Sequence, residues 1–176
     1  GIRFVSREDE EYPERLRHIY HPPCGLFVKG RLPGEDAPAI GIVGARTCSA
    51  YGRELARYFA AELSKRGFSI ISGLAAGIDS AAHAGALQAG GYTAAVLGCG
   101  TDRCYPKENL RLYLNIEEAG GLISEYPPGV PPYRGNFPAR NRIIAGLSDG
   151  ILIPEARERS GSLITASLAL EGGKDI

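Results

Sequence analysis

In the stretch NFPARNRIIAGLSDG, residues 136–150, Phe137 stands one residue before a proline, and Arg140, Asn141 and Arg142 follow. Arg134 precedes the ring by three positions. Packing a helix here needs Ile143, Ile144 and Leu147, but it does not need guanidiniums. An aromatic ring offers a stacking surface to any unpaired base, and flanking arginines can grip the phosphates on either side. Other candidates sit among small residues: Gly44 and Arg46 in GARTCSAYG (44–52), Ser72 and Gly73 in SGLAAGIDSAAH (72–83), and Ser160, Gly161 and Ser162 in EARERSGSLITA (155–166). Small residues let a backbone approach an anion, and the helix start behind them supplies free N–H groups and a positive dipole end. The chemistry these residues suit is binding of a chain of phosphates and bases.

Each candidate also has a plainer role. Ser49 can cap a helix while Arg46 is a surface charge. Asn141 can bridge Arg140 to the sheet or cap its own helix. Arg142 and Ile143 can be structural, so Arg140 is the preferred phosphate contact of the two arginines beside Asn141. Asp79 would oppose a phosphate, which favours capping or dipole compensation. His83 follows one helical turn later, and a structural hydrogen bond is favoured over an acid–base couple. The chain carries no Ser–His–Asp elbow, no pair of adjacent carboxylates and no zinc spacing among its four cysteines and three histidines. No catalytic residue, metal site or cofactor is therefore assigned. The junction after strand AIGIVG lacks the second and third glycines of GxGxxG, so an NAD fingerprint is not supported.

A chain of 176 residues can bury roughly 70% of its unfolded surface, enough for one real core. Its formal net charge is zero, so a nucleic-acid role must come from local clustering. Acidic residues gather in REDEEYPER near the start, whereas residues 126–148 hold Arg134, Arg140 and Arg142 and no acid. The cysteines read as reduced thiols, no apolar run reaches the length of a membrane span, and no signal peptide is recognisable. The expected location is the cytoplasm.

The elements that must position these residues alternate. Residues 1–37 are charged and proline-interrupted, and are expected to give a lead-in helix over 12–19 and a strand over 26–29. From residue 38 onward, strands AIGIVG (39–44), FSIIS (68–72), YTAAVLG (92–98), LISE (122–125) and GILIP (150–154) are separated by helical patterns over 51–67, 78–91, 107–118 and 162–173. KDI is expected to begin a further strand. A long loop is expected over 126–141, stiffened by prolines that reduce the entropy lost on binding. This order implies an α/β fold with a doubly wound, mostly parallel sheet, and ligands bind such sheets outside the carboxyl ends of the strands.

Taken together, GARTCSAYG, SGLAAGIDSAAHAGAL, AVLGCGTDRCYPKEN, LISEYPPGVPPYRGNFPARNRIIAGLSDGILIPEA and SGSLITASLALEGGKDI resemble the DNA-processing protein A family (DprA, also called Smf). The resemblance runs from Tyr12 to Ile176. It implies an extended Rossmann-like fold and a non-enzymatic protein that binds single-stranded DNA. Such a protein protects incoming strands and hands them to the RecA recombinase during natural transformation. It also implies a base stacked on Phe137 and use of the basic residue three positions earlier, Arg134. A homodimer is implied for a full-length chain. RecA is the implied partner, and the family's self-association and RecA contacts involve a C-terminal part that lies beyond Ile176. Where the family places a valine before Glu155, this chain has Pro154, and the strand is expected to fray there.

The rival class is a Rossmann-type hydrolase, related to the lysine-decarboxylase-like nucleoside monophosphate phosphoribohydrolases. Its mark is PGGxGTxxE. The corresponding stretch PEARERSGSLITA lacks the glycine pair and the correctly spaced glutamate.

Overall fold

A computed structural model describes residues 1–158 and 160–176. Seven strands form one sheet in the order β1-β2-β6-β5-β4-β3-β7. Its parallel part comprises β3 (Ala39–Ile42), β4 (Ser69–Ser72), β5 (Thr93–Val96), β6 (Gly121–Ser124) and β7 (Gly150–Leu152). At one edge β1 (Arg3–Ser6) and β2 (Gly25–Gly30) add antiparallel pairs.

The parallel strands are apolar because helices cover both faces, leaving no residue for solvent. Ile42 and Ile70 meet Ala56, Ala60 and Ala82 of helices α2 (Ala50–Lys65) and α3 (Ile78–Gln88). Ala95 and Leu122 lie with Tyr113 and Ile116 of α4 (Leu110–Ala119). Across the sheet, Ile71, Val96 and Ile123 pack with Leu16 of α1 (Glu14–Arg17) and with Ile143 and Leu147 of α5 (Asn136–Leu147). Ala169 of α6 (Gly161–Glu171) joins that second cluster. Val5, Tyr12, Leu26 and Val28 belong to it as well, and the Tyr12 hydroxyl donates to Pro23 O at 2.7 Å. The lead-in residues are thus part of the same core.

Chain order fixes where a ligand can sit. Crossovers through α2, α3 and α4 carry the chain outward from β3 to β6, and α5 then returns it to β7 on the other side of β3. Strand order reverses between β3 and β7, and this is the switch point at which open α/β sheets bind ligands.

Several elements differ from the sequence reading. Strand β1 was not expected. The lead-in helix is a single turn, and a 3-10 turn over Lys107–Asn109 precedes α4. Residues 174–176 make one bridge, Gly150 to Asp175, rather than a strand. The expected loop over 126–141 ends early, because α5 already starts at Asn136. Pro138 falls in its first turn, where an amide N–H would have no helical acceptor. β7 stops at Leu152, before Pro154, yet Ala45 N donates to Glu155 O at 2.8 Å, so β3 regains a partner past the proline.

Candidate nucleic-acid interface

A cavity of about 520 Å³ opens at the switch point. Its walls come from the turn after β3, the start of α5 and the start of α6. Arg46, Arg134, Arg140 and Arg157 line it against a single acid, Asp79, and Tyr105 and Phe137 supply two rings. Neutral overall charge therefore hides a local excess of cations.

Phe137 is half-buried at the rim. A Cβ on Gly98 would lie 2.8 Å from its ring, so glycine there is what lets the ring settle on the end of β5. The Asn136 side-chain amide donates to Gly98 O at 2.9 Å and anchors the same turn. The Tyr105 ring stands 5.5 Å away at an interplanar angle of 33°, and Tyr105 is 43% exposed. Two guanidiniums, those of Arg46 and Arg140, lie 5.5 and 5.6 Å from the Phe137 centroid, within cation–π range. Arg46 and Arg134 are exposed, and among the described residues neither side chain makes an ion pair.

Arg140 is not the exposed phosphate contact that its position suggested. It is 5% exposed, and its guanidinium runs beneath the cavity. Nη1 donates to Gly73 O at 2.9 Å and to Val96 O, and Nε donates to Asn141 Oδ1 at 3.1 Å. Only Nη2 has no protein acceptor among the described residues. A buried arginine keeps its proton, although burial pulls its pKa down and Asp79 pushes it back up. It places a fixed positive charge in the floor.

The same burial corrects two other expected contacts. Ser72 is fully buried, and its hydroxyl donates to Ile42 O at 2.6 Å, so it has no surface to offer a strand. At Gly73 a Cβ would stand 2.7 Å from Arg140 Nη1; the residue is glycine to seat the guanidinium, not a phosphate. Asp79 accepts from Gly73 N at 3.1 Å instead of capping its own helix. Burial pushes its carboxyl pKa up, with Arg140 and the Gly73 N–H pulling the other way. Asn141 does bridge, but from Arg140 to α6: its amide donates to Gly161 O at 3.2 Å. Arg142 is spent on Glu125 (2.6 Å), His21 O and Ala139 O.

His83 is completely buried. Thr93 Oγ1 donates to Ile70 O at 2.8 Å and so accepts from His83 Nδ1 at 2.7 Å. Burial, with Arg140 adding to it, drives the imidazole pKa down to about 3. The ring is neutral and out of reach of any substrate.

The starts of α2 and α6, both at this edge, differ. The α2 start is filled from within, because Glu155 Oε1 accepts from Ser49 N at 2.9 Å and Oε2 accepts from Ser49 Oγ at 2.5 Å. Ser49 Oγ in turn accepts from Gly52 N at 2.9 Å. These hydrogen bonds hold the Glu155 carboxyl below its usual pKa. Gly44 is pinned by the same segment, since its Cβ would lie 2.5 Å from Glu155 O. Gly44 nevertheless lines the cavity, while the Ser49 start of α2 behind it is occupied by the Glu155 carboxylate. The α6 start is open: Ser160, Gly161 and Ser162 all line the cavity, and Ser160 makes no side-chain cap. The sequence reading did not assign Tyr105, Arg157 or Glu155. Arg157 lies within EARERSGSLITA and Tyr105 within AVLGCGTDRCYPKEN, whereas the Glu155 contact spans 106 residues and leaves no local signal.

The α6 start, the exposed Arg46 and Arg134 and the Phe137 ring thus meet at the switch point of a Rossmann-like sheet. The profile of the DNA recombination-mediator protein A family matches residues 3–176, and the chain belongs to that family. It is 47% identical over 178 aligned residues to the Smf protein of Synechocystis, covering 99% of this chain and 45% of that protein. To the DNA processing protein DprA of Streptococcus pneumoniae it is 48% identical, covering 96% of this chain and 59% of that one. The chain thus spans about half the length of the curated relatives it matches. Among solved structures, DprA of S. pneumoniae aligns with a TM-score of 0.90 at 44% identity, over 99% of this chain and 62% of that chain. DNA processing protein A of Helicobacter pylori, whose structure was described for its single-stranded DNA binding mode, aligns at 0.88 and 33%, over 98% and 78%. A molybdenum cofactor binding protein of Rippkaea orientalis shares the fold alone, at 0.57 and 21% over 80% and 75%. Among the described residues no acidic, histidine or cysteine cluster could hold a metal ion, and no helix is long and apolar enough to cross a membrane.

Proposed function

We propose that the cavity binds single-stranded DNA without sequence preference. One observation carries this reading: a half-buried ring, Phe137, shares a cavity with the unpaired cations Arg46 and Arg134 and the open start of α6. One base stacks on Phe137, phosphates lie against Arg46, Arg134 and the Ser160–Ser162 backbone, and Arg140 supplies fixed charge from below. The H. pylori relative's described binding mode supports the choice of ligand. In the full-length protein the same site would protect incoming single strands and pass them to RecA during transformation. That role places the protein in the cytoplasm and brings the family's self-association with it. A non-enzymatic role is favoured over the hydrolase, because His83 is buried and neutral and Asp79 is tied to Gly73 N.

The test is affinity for single- against double-stranded oligonucleotides at two salt concentrations. With about three phosphates neutralised, affinity for single strands falls roughly twentyfold from about 50 to about 200 mM salt. Phe137→Ala costs about 1–3 kcal/mol of binding and leaves that slope unchanged. Arg46→Ala or Arg134→Ala lowers the slope by about 0.7. Equal affinity for duplex, or turnover of nucleoside monophosphates, overturns the reading.

A further inference from the structure

Behind Arg46 lies a second groove, of about 520 Å³, where α2, α3 and α4 meet. Arg53 and Arg57 of α2 and Arg111 of α4 line it together with Arg46, and Glu108 is its one acid. All four arginines are exposed, and among the described residues none makes an ion pair. Arg53 and Arg57 stand four residues apart on one helix, a spacing at which like charges repel. The other end of the same helix contrasts with this: Glu62 pairs with Lys65 at 2.7 Å and with Arg66 at 3.6 Å. Partners are also close in sequence for the unpaired set, with Glu54 three positions before Arg57 and Glu108 three before Arg111. Neither pairing forms.

We propose that this groove binds the phosphate backbone of the same single strand as it leaves the first cavity. The proposal rests on the reading of that cavity as a single-strand site. Arg46 lines both cavities, so a strand passes from one to the other without leaving positive surface. The remaining wall is Asn109, Asn115 and small or aliphatic residues such as Ser80 and Leu112, with no aromatic ring. Without a ring there is no stacking platform. The groove therefore contributes charge neutralisation alone, and it acts only on strands long enough to reach it.

A length series separates the two sites. The chain is titrated with oligothymidylates of about 6 and about 16 nucleotides, over the same salt range. The longer one is expected to show the steeper salt slope. In Arg53→Ala/Arg57→Ala/Arg111→Ala that slope flattens by about 2, roughly 0.7 for each lost phosphate partner. Binding of the short oligomer stays unchanged, which also shows that the variant is folded. The triple lysine variant restores the slope, because the count of neutralised phosphates is restored. If the short oligomer binds and the triple alanine variant keeps the parent's slope with the long one, the groove proposal falls and the first cavity stands. Equal losses on both lengths also overturn it. If the short oligomer fails to bind the parent protein, both readings fall.

Discussion

The floor and the rim of the cavity are built from similar residues that behave in opposite ways. In and beneath the floor, Ser72, Gly73, Asp79 and Arg140 spend their polar atoms mainly on one another and on strand ends. At the rim, Arg46 and Arg134 make no ion pair among the described residues, and the α6 start has no side-chain cap from Ser160. Burial separates the two sets. A polar group removed from water costs several kcal/mol unless it is paired, so the floor is closed by necessity. The rim stays solvated and can exchange water for phosphate. A ligand site of this kind needs both, since the floor supplies fixed charge and shape while the rim supplies exchangeable contacts.

The largest effect that would break this contrast is at Arg140. Arg140→Ala leaves Gly73 O and Val96 O unpaired and Asp79 buried without its compensating charge. The expected loss is about 3–5 kcal/mol of folding stability, read as a shift in denaturation midpoint. Arg46→Ala at the rim is expected to change stability by no more than about 0.5 kcal/mol. Similar melts for the two variants would erase the distinction. His83, buried on α3 away from the cavity lining, gives the fold a pH signature. Its folded pKa of about 3 lies below the unfolded value near 6.5, so below about pH 6.5 the unfolded chain takes up a proton that the fold refuses. Stability is present above that pH and is lost as pH falls, by up to about 1.4 kcal/mol per pH unit down to about pH 3. His83→Gln should flatten this limb relative to the parent, measured by denaturation at a series of pH values.

The alternation of strands and helices was legible because the parallel strands are short apolar runs and each of the longer helices, α2 to α6, has a glycine or serine at one end or both. Strand β1 was not, because RFVS is four residues long and joins the sheet only through β2. The start of α5 was hidden by Pro138, which reads as a breaker anywhere but in a first turn. Arg46, Arg134 and Phe137 could be picked out as site candidates because a strand-to-helix junction already places them near the sheet edge. Ser72, Gly73 and Arg140 stood at the same junctions, yet they turn inward. Their partners lie 30, 67 and 44 residues away, and sequence spacing carries no record of that pairing.

The smallest effect concerns the rim charge that is already paired. Glu155 sits at the α2 start as a bound anion would, held by Ser49 N and Oγ, while among the described residues no carboxylate bonds the α6 start. Glu155→Gln keeps the shape and removes the charge that favours the positive end of the helix. The variant is expected to melt below the parent at neutral pH. Because these hydrogen bonds depress the Glu155 pKa, the parent's advantage is present above the unfolded carboxyl value. It disappears as pH falls through the lower folded one. Parent and variant should therefore converge at acid pH. Binding sharpens the contrast further: with the carboxylate neutralised, inorganic phosphate should protect α2 amides near Ser49 from hydrogen exchange in the variant but not in the parent. Protection near Gly161 should be the same in both. A melting difference that persists at acid pH would mean that Glu155 acts through packing alone, and the two helix starts would then differ in shape rather than in charge.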